Sequence, residues 1–398
     1  MKYFLLNNWI FISEAARLAG RNLVASFFWL VSAVAGTSFA VILMMLQTGF
    51  KNALEDSTTS VIDRLDGDLF IVSKRMYILA IPQTFPLRRI EAAAGFAGVK
   101  SAYPLMIENR RTSWRRSGDG VSRRIRVIAY PPRSDLLDIA EVKATRDAWS
   151  APETALADSL SKPHLVGRIH TGDVSELSRR RLKIVGMFSL GTDFHNDGTL
   201  IMSDANLLRY VPERAGSSRG DDRIDIGVIK IQPGYRIDQI ESAIAAILPG
   251  DVRVLSKAEF VAKEKRFWKR VAPIGIVFDI GVGVGLIVGM AICYQVLFAE
   301  VSDRLAEFAT MKAIGHTELF LGLAVVIQAL LLAAISFAVG LAISAGLYRL
   351  AHAATGLPMD MRIGDAREIL ALTIGMCSIA GLLAASRLKT ADPAALFK

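Results

Sequence analysis

Four apolar stretches interrupt an otherwise mixed chain. Residues 22–50, 319–348 and 369–386 contain no Asp, Glu, Lys or Arg, and residues 271–299 contain one charge, Asp279. A bilayer core about 30 Å thick takes about 20 apolar residues as helix, so each stretch is long enough or close to it. No water is present at that depth to satisfy the backbone, so each is predicted to be helical. The first stretch is too long for a leader's apolar region and ends in no A-x-A-like site, which predicts a retained anchor. Ahead of it, Trp9, Ile12 and Ala16 fall on one side and Glu14, Arg17 and Arg21 on another. That pattern predicts an amphipathic interfacial helix over 1–21.

Between the first two spans the period changes. Phe50, Leu54, Val61 and Leu65 continue a helical pattern to Gly67, and Ala258–Arg270 is helical in character as it approaches the second span. Two helical stalks are therefore expected to carry the intervening domain. Within it, β-branched runs bounded by Gly, Pro and Asp predict strands at Asp68–Ser73, Ser101–Ile107, Arg124–Tyr130, Leu182–Phe188, Thr199–Met202, Ile224–Ile231 and Val252–Leu255. Helices are predicted at Leu87–Ala94, Asp204–Tyr210 and Ile237–Leu248, and a loop at 212–222. The expected fold is a four-span α-helical membrane protein with a large α+β extracytoplasmic domain on two helical stalks. Its parts are an interfacial helix (1–21), spans at 22–50, 271–299, 319–348 and 369–386, and stalks with domain (51–270). A surface helix loop (300–318), a short loop (349–368) and a tail (387–398) complete it. A domain of that length can bury its own core, as one or two subdomains.

Composition fits this division. Apolar residues make up 52% of the 398 and mean hydropathy is +0.37, high for a soluble globular chain. Residues 51–270 hold 36 Lys and Arg against 28 Asp and Glu, and so carry nearly all of the net charge of +9. Seven arginines (110, 111, 115, 116, 123, 124 and 126) crowd one segment. That run reads either as a solvated hairpin end or as contact with anionic lipid or an acidic partner. Nucleic acid is not expected, because no binding motif accompanies the charge.

Catalytic chemistry has no foothold. There is no G-x-x-x-x-G-K-[ST], G-x-S-x-G or H-E-x-x-H, and the five histidines lack metal-ligand spacing. No catalytic residue, metal or cofactor is therefore assigned to this chain. The two cysteines, Cys293 and Cys377, both fall inside predicted spans. Small residues recur every fourth position at Gly281, Gly285 and Gly289, and likewise at Ser32/Gly36/Ala40 and Ser336/Gly340/Ser344. Helices in lipid associate through close backbone approach, which such rows permit. Asp279 is an acid within a span with no intramembrane Lys or Arg expected beside it, and reads as protonated or reaching the interface.

The loop between spans two and three carries the most specific signal. Ser302 is a candidate N-cap, Asp303 and Glu307 sit early, Lys312 sits late, and Gly315 can supply a left-handed C-cap. Leu305, Phe308 and Ala309 form a small apolar face. A plain re-entry turn needs neither caps nor an outward Phe.

The run Arg304, Glu307, Phe308, Lys312, Ala313, Ile314, Gly315 resembles the coupling-helix signature of MacB/FtsX-type ABC transporter permeases. Over its whole length the chain is similar to the DevC-type permeases of DevBCA exporters. The stretches FAVILMMLQTGFK (39–51), TFPLRR (84–89), IDIGVIKI (224–231), PGDVRVLSKAEF (249–260), PIGIVF (273–278) and ADPAALF (391–397) carry that likeness. The resemblance implies a homodimeric, non-catalytic permease in a bacterial inner membrane, with its large domain in the periplasm. It also implies a separate DevA-like cytoplasmic ATPase holding the ATP and Mg, a DevB-like membrane-fusion adaptor and a TolC-like outer-membrane duct. Asp303, Arg304, Glu307, Phe308, Lys312 and Gly315 are then expected to couple to the ATPase, with Phe308 inserted into its groove. Two related machines share the architecture: a lipoprotein-release permease and an FtsX-like activator of a cell-wall hydrolase. Charge opposes this orientation, since Lys257, Lys263, Lys265, Arg266, Lys269 and Arg270 precede span two on the expected periplasmic side. Long domains translocate largely regardless of charge, so the resemblance decides.

Overall fold

The computed structural model describes residues 14–20, 27–115, 120–193, 195–216, 222–271 and 274–386. In chain order the main elements are α1 (Phe27–Arg64), β1 (Leu69–Ser73), β2 (Phe85–Pro86), α2 (Arg88–Ala94), β3 (Val99–Glu108), β4 (Ser113–Arg115), β5 (Ser122–Arg124) and β6 (Arg126–Tyr130). They continue with β7 (Thr154–Asp158), β8 (Val174–Leu177), β9 (Arg180–Phe188), β10 (Thr199–Ser203), α3 (Asp204–Tyr210), β11 (Arg223–Ile224), β12 (Ile226–Ile231), α4 (Ile237–Ile247) and β13 (Val252–Ser256). The last are α5 (Lys257–Val271), α6 (Ile274–Asp303), α7 (Leu305–Ala313), α8 (Glu318–Thr355) and α9 (Ile363–Ala385). Two compact units result. One gathers the described residues of Met1–Asn52, Ile274–Leu350 and Met359–Lys398; the other is Ala53–Pro273 with Ala351–Pro358.

The first unit is a helical bundle. Trp29–Arg64, Gly275–Asp303, Glu318–Thr355 and Ile363–Ala385 are each long and apolar enough to cross a membrane. Where its glycines sit explains how the helices approach. A Cβ on Gly281 would lie 2.7 Å from the Gln47 side chain, on Gly285 3.0 Å from Met44, and on Gly289 2.7 Å from Ala40. The row on α6 thus runs down successive turns of α1, and each position is filled by an α1 side chain. Gly36 meets Ile292 and Gly340 meets Val41 in the same way. Residues 14–20 are helical, with Ala15 and Ala19 buried and Glu14 and Arg17 exposed; Trp9, Ile12, Arg21 and the tail from 387 lie outside the described residues.

In the second unit, 11 strands form one sheet in the order β13-β1-β12-β3-β6-β10-β7-β9-β8-β4-β5. The β6/β10 and β7/β9 pairs are parallel and the other pairs antiparallel. Successive side chains of a strand point to opposite faces, and here both faces are buried. Leu69, Ile71, Val127, Ala129, Leu200 and Met202 face one core, covered by α2, α3 and α4. Phe70, Val72, Ile128, Tyr130 and Ile201 face the other, against Val61, Ile62 and Leu65 of α1, Phe260 of α5 and Trp149. One sheet with a core on each face replaces the alternative of two subdomains.

The seven predicted strands and three predicted helices all exist, within a few residues of their expected ends. The expected loop at 349–368 is shorter, because α8 continues to Thr355 and α9 begins at Ile363. The junction of α5 with α6, at 272–273, lies outside the described residues. In α1, the polar run Ser57–Ser60 is helical with its hydroxyls bonded back one turn: Ser57 Oγ donates to Leu54 O (2.8 Å) and Thr58 Oγ1 to Glu55 O (2.7 Å).

Candidate functional site

Between α6 and α8 the chain makes a separate short helix, α7. The expected N-cap at Ser302 is absent, because α6 continues through Asp303 and the N-cap position of α7 is Arg304, which makes no side-chain cap bond. The C-terminus is closed by backbone alone. His316 N donates to Met311 O and Gly315 N to Lys312 O, both at 3.1 Å, with Gly315 at φ +112°. This pair of bonds is the Schellman closure, which requires a residue that tolerates positive φ.

Phe308 is not where the sequence pattern placed it. It is 3% exposed and packs with Val301, Phe320 and Leu321 in the bundle core. The apolar face of α7 is thus spent on anchoring the helix to its own bundle. The outward face is Ala306, Glu307, Thr310, Ala313 and Ile314, all exposed, with Ile314 at 76%. Arg304 turns inward, its Nε 3.8 Å from Glu300 Oε1 and its guanidinium 4.0 Å from Glu307 Oε2. Lys312 Nζ bonds Glu318 Oε1 at 2.7 Å, tying the end of α7 to the start of α8. His316 stacks on Phe320 at 4.8 Å between ring centroids. Asp303 is exposed.

Residues 280–393 match the family described as FtsX-like permease C-terminal. The match covers well under half of the chain, and it is a likeness of this segment to that family. Two proteins of Mycobacterium tuberculosis, from strains CDC 1551 / Oshkosh and ATCC 25618 / H37Rv, are each described as an uncharacterized ABC transporter permease. Each is 23% identical over 382 residues, covering 92% of this chain and 95% of the relative. Among solved structures, the periplasmic region of MacB from Actinobacillus actinomycetemcomitans is similar at 12% identity, covering 50% of this chain and 92% of that one, with a TM-score of 0.35. The extracellular domain of the noncanonic ABC-type transporter YknZ from Gram-positive bacteria is similar at 13% identity, covering 48% and 99%, with a TM-score of 0.33.

The matched segment contains α7 whole, together with α8, α9 and most of α6. Beneath α7 it buries a polar group that sequence reading passed over. Glu300 is 6% exposed and accepts a hydrogen bond from Gln328 Nε2 of α8. Its charge at the end of an apolar run looked like the edge of a span, and its partner is 28 residues away in sequence. Asp279 also has a partner the sequence did not suggest. Lys51 Nζ bonds Asp279 Oδ1 at 2.6 Å, which corrects the expectation of an unpartnered acid.

In the sheet unit a second polar cluster was equally hidden. Glu264 of α5 is 1% exposed, and its carboxylate accepts from Leu79 N (3.0 and 3.2 Å) and Trp268 Nε1 (3.1 Å). Thr58, Asn109, His195 and the Arg126–Asp193 ion pair line the same small cavity. Burial pushes the Glu264 carboxyl up to about 7. The arginine run is dispersed: Arg126 is buried on Asp193, Arg115 faces Glu176 at 3.9 Å, and Arg110 and Arg111 are exposed; Arg116 lies outside the described residues. Among the described residues no cluster of His, Cys, Asp and Glu could hold a metal ion.

Proposed function

We propose that the chain is the membrane permease of a MacB/FtsX-type ABC exporter, and that a separate ATPase drives it through α7. The observation that carries this reading is a surface helix closed at its C-terminus, anchored by Phe308, with an outward face of Ala306, Glu307, Thr310, Ala313 and Ile314. A helix that transmits force needs both properties: a rigid attachment to the spans and a free face for the driver. Phe308 and Lys312 supply the attachment. Glu307 and Ile314 supply the contact, Asp303 flanks it, Arg304 stiffens it through Glu300 and Glu307, and Gly315 ends the helix. The description of the mycobacterial relatives as ABC transporter permeases supports the same reading.

Connectivity supports the topology. The large domain follows span one, and the 351–358 turn after span three belongs to the same compact unit, with Thr192 Oγ1 donating to Thr355 O at 3.3 Å. Both therefore lie on one side of the membrane, and α7, after span two, lies on the other. The reading assigns the domain to the periplasm and α7 to the cytoplasmic face of a bacterial inner membrane. ATP and Mg belong to the ATPase partner. Two copies of this chain, a DevB-like adaptor and a TolC-like duct complete the exporter, which is DevC-like in its narrower resemblance.

The test is reconstitution of the full chain with its ATPase. Ile314→Glu together with Glu307→Ala should lower the permease-dependent part of ATP hydrolysis by about tenfold, as expected for loss of interface anchors, with unchanged membrane insertion. Wild-type stimulation in that variant would remove α7 from the coupling path. Efflux that depends on the adaptor separates the exporter from a lipoprotein-release permease and from an FtsX-like activator of a cell-wall hydrolase.

A further inference from the structure

Two open grooves of about 910 and 920 Å³ lie on the sheet unit and share one residue, Thr84. The first is lined by Lys74, Arg75, Arg88, Arg89 and Arg223, with Asp251 as its acid. Arg110, Arg111 and Arg214 line the second, with Glu108. Both acids are already engaged. Asp251 holds Arg89 at 3.1 Å, and Glu108 holds Arg214 at 2.9 Å while accepting from the backbone N–H groups of Arg110 and Arg111. Lys74, Arg75, Arg110, Arg111 and Arg223 are exposed, and none is in an ion pair among the described residues. These cations come from three separate parts of the chain, and of them only Arg110 and Arg111 belong to the arginine-rich run visible in the sequence.

The segment 74–86 contributes Lys74, Arg75 and 84–86 to the first groove and 82–84 to the second, and it is held in place. Met76, Ile78 and Leu79 are buried at 2, 2 and 5% exposure. Lys263 Nζ donates to Met76 O (2.6 Å), Asn109 Nδ2 to Ala80 O (2.8 Å) and Arg223 Nε to Thr84 Oγ1 (3.2 Å). The two-residue ladder of β2 with β11 closes its end. Between the two grooves' contributions, on the same fixed segment, Tyr77 and Ile81 stand out at 74 and 45% exposure.

We infer that this double groove is a docking surface for an acidic segment of a protein partner. Guanidinium forks suit carboxylates, and the cationic heads are spread along two grooves rather than converged on a point, which suits a row of carboxylates and not one small anion. Exposed Tyr beside Arg is the composition of protein interfaces. Because segment 74–86 is already ordered, docking costs little further ordering.

The experiment uses the full chain in neutral-lipid nanodiscs and a fluorescein-labelled oligoglutamate peptide, read by anisotropy at several salt concentrations. Saturable, salt-sensitive binding is expected. Lys74→Glu/Arg75→Glu and Arg110→Glu/Arg111→Glu should each weaken it by about tenfold, as for charges that match across an interface. Arg180→Glu/Arg181→Glu, an equal charge change on β9, should leave it unchanged. Neutral Arg110→Gln/Arg111→Gln, checked for the parent's thermal unfolding, guards against a folding defect and should weaken binding in the same direction. Equal loss in the β9 control would reduce the surface to net charge alone and overturn the inference. So would displacement by short-chain phosphatidylglycerol or inorganic phosphate, at equal ionic strength, of a peptide that the Arg110/Arg111 changes do not affect.

Discussion

At the scale of single residues, the informative groups are those whose surroundings contradict their chemistry. Glu264 is a carboxyl with almost no access to water, held by two donors in a cavity that also contains an ion pair. Its folded value of about 7 lies above the ordinary 4.5, so the fold retains a proton that the unfolded chain releases. The resulting stability is complete below about pH 4.5 and is lost as pH rises through about 7, for a total of about 3 kcal/mol. Thermal unfolding of the full chain should therefore fall across that window. Glu264→Gln should flatten the fall and raise the melting temperature at pH 8; an unchanged slope in the variant would place the titration elsewhere. Phe308 is the second such residue. Its burial predicts that Phe308→Ala loosens α7 from the bundle, at a cost of about 3 kcal/mol, read as faster proteolysis within 304–316. Neither environment was legible in the sequence. A Glu within a basic amphipathic helix and a Phe in a short loop both look solvent-facing until distant segments cover them.

At the scale of elements, periodicity carried most of the information. Strand runs such as 226–231 and 199–203 were legible because β-branched residues bounded by turn formers have few other uses. The short strands β2, β4, β5, β7 and β8 were not: TALAD in β7 has weak β propensity, and its strand exists because β9 and β10 flank it. The glycines on α6 were visible as a row, but which helix they received was not. Their contacts with Ala40, Met44 and Gln47 predict that Gly289→Leu forces α1 and α6 apart, for a loss of about 1–3 kcal/mol from overpacking. Engineered cysteine crosslinks between positions 43 and 286 should then form more slowly than in the parent. Gly315 offers a matched test of closure. At φ +112° a side chain is strained by about 1–2 kcal/mol, so Gly315→Val should fray the end of α7 and lower ATPase coupling while leaving span packing intact. Coupling equal to the parent's would show that the end of α7 need not be rigid.

For the whole molecule, composition and four apolar runs were enough to separate a helical bundle from a mixed α and β unit. The sheet order was beyond reach, because strands adjacent in space, such as β1 with β12 and β6 with β10, are far apart in the chain. Side of the membrane was likewise not decided by charge, and connectivity now gives a sharper expectation. Reporter fusions at Ser150 and Thr355 should report one side, and a fusion at His316 the other. A cytoplasmic signal at Ser150 would reverse the orientation and place the docking grooves beside the ATPase.

The Lys51–Asp279 pair has an electrical consequence. A lone carboxylate displaced through a membrane under 100 mV exchanges about 2.3 kcal/mol with the field, and a transporter carrying one would be driven or stalled by the potential. Lys51 belongs to the first span helix and Asp279 to the second, 2.6 Å apart. When the two helices move as a body, a dipole travels and no net charge does. The field then does no net work on that pair as it translates, and any voltage sensitivity of the motion has to come from other charges.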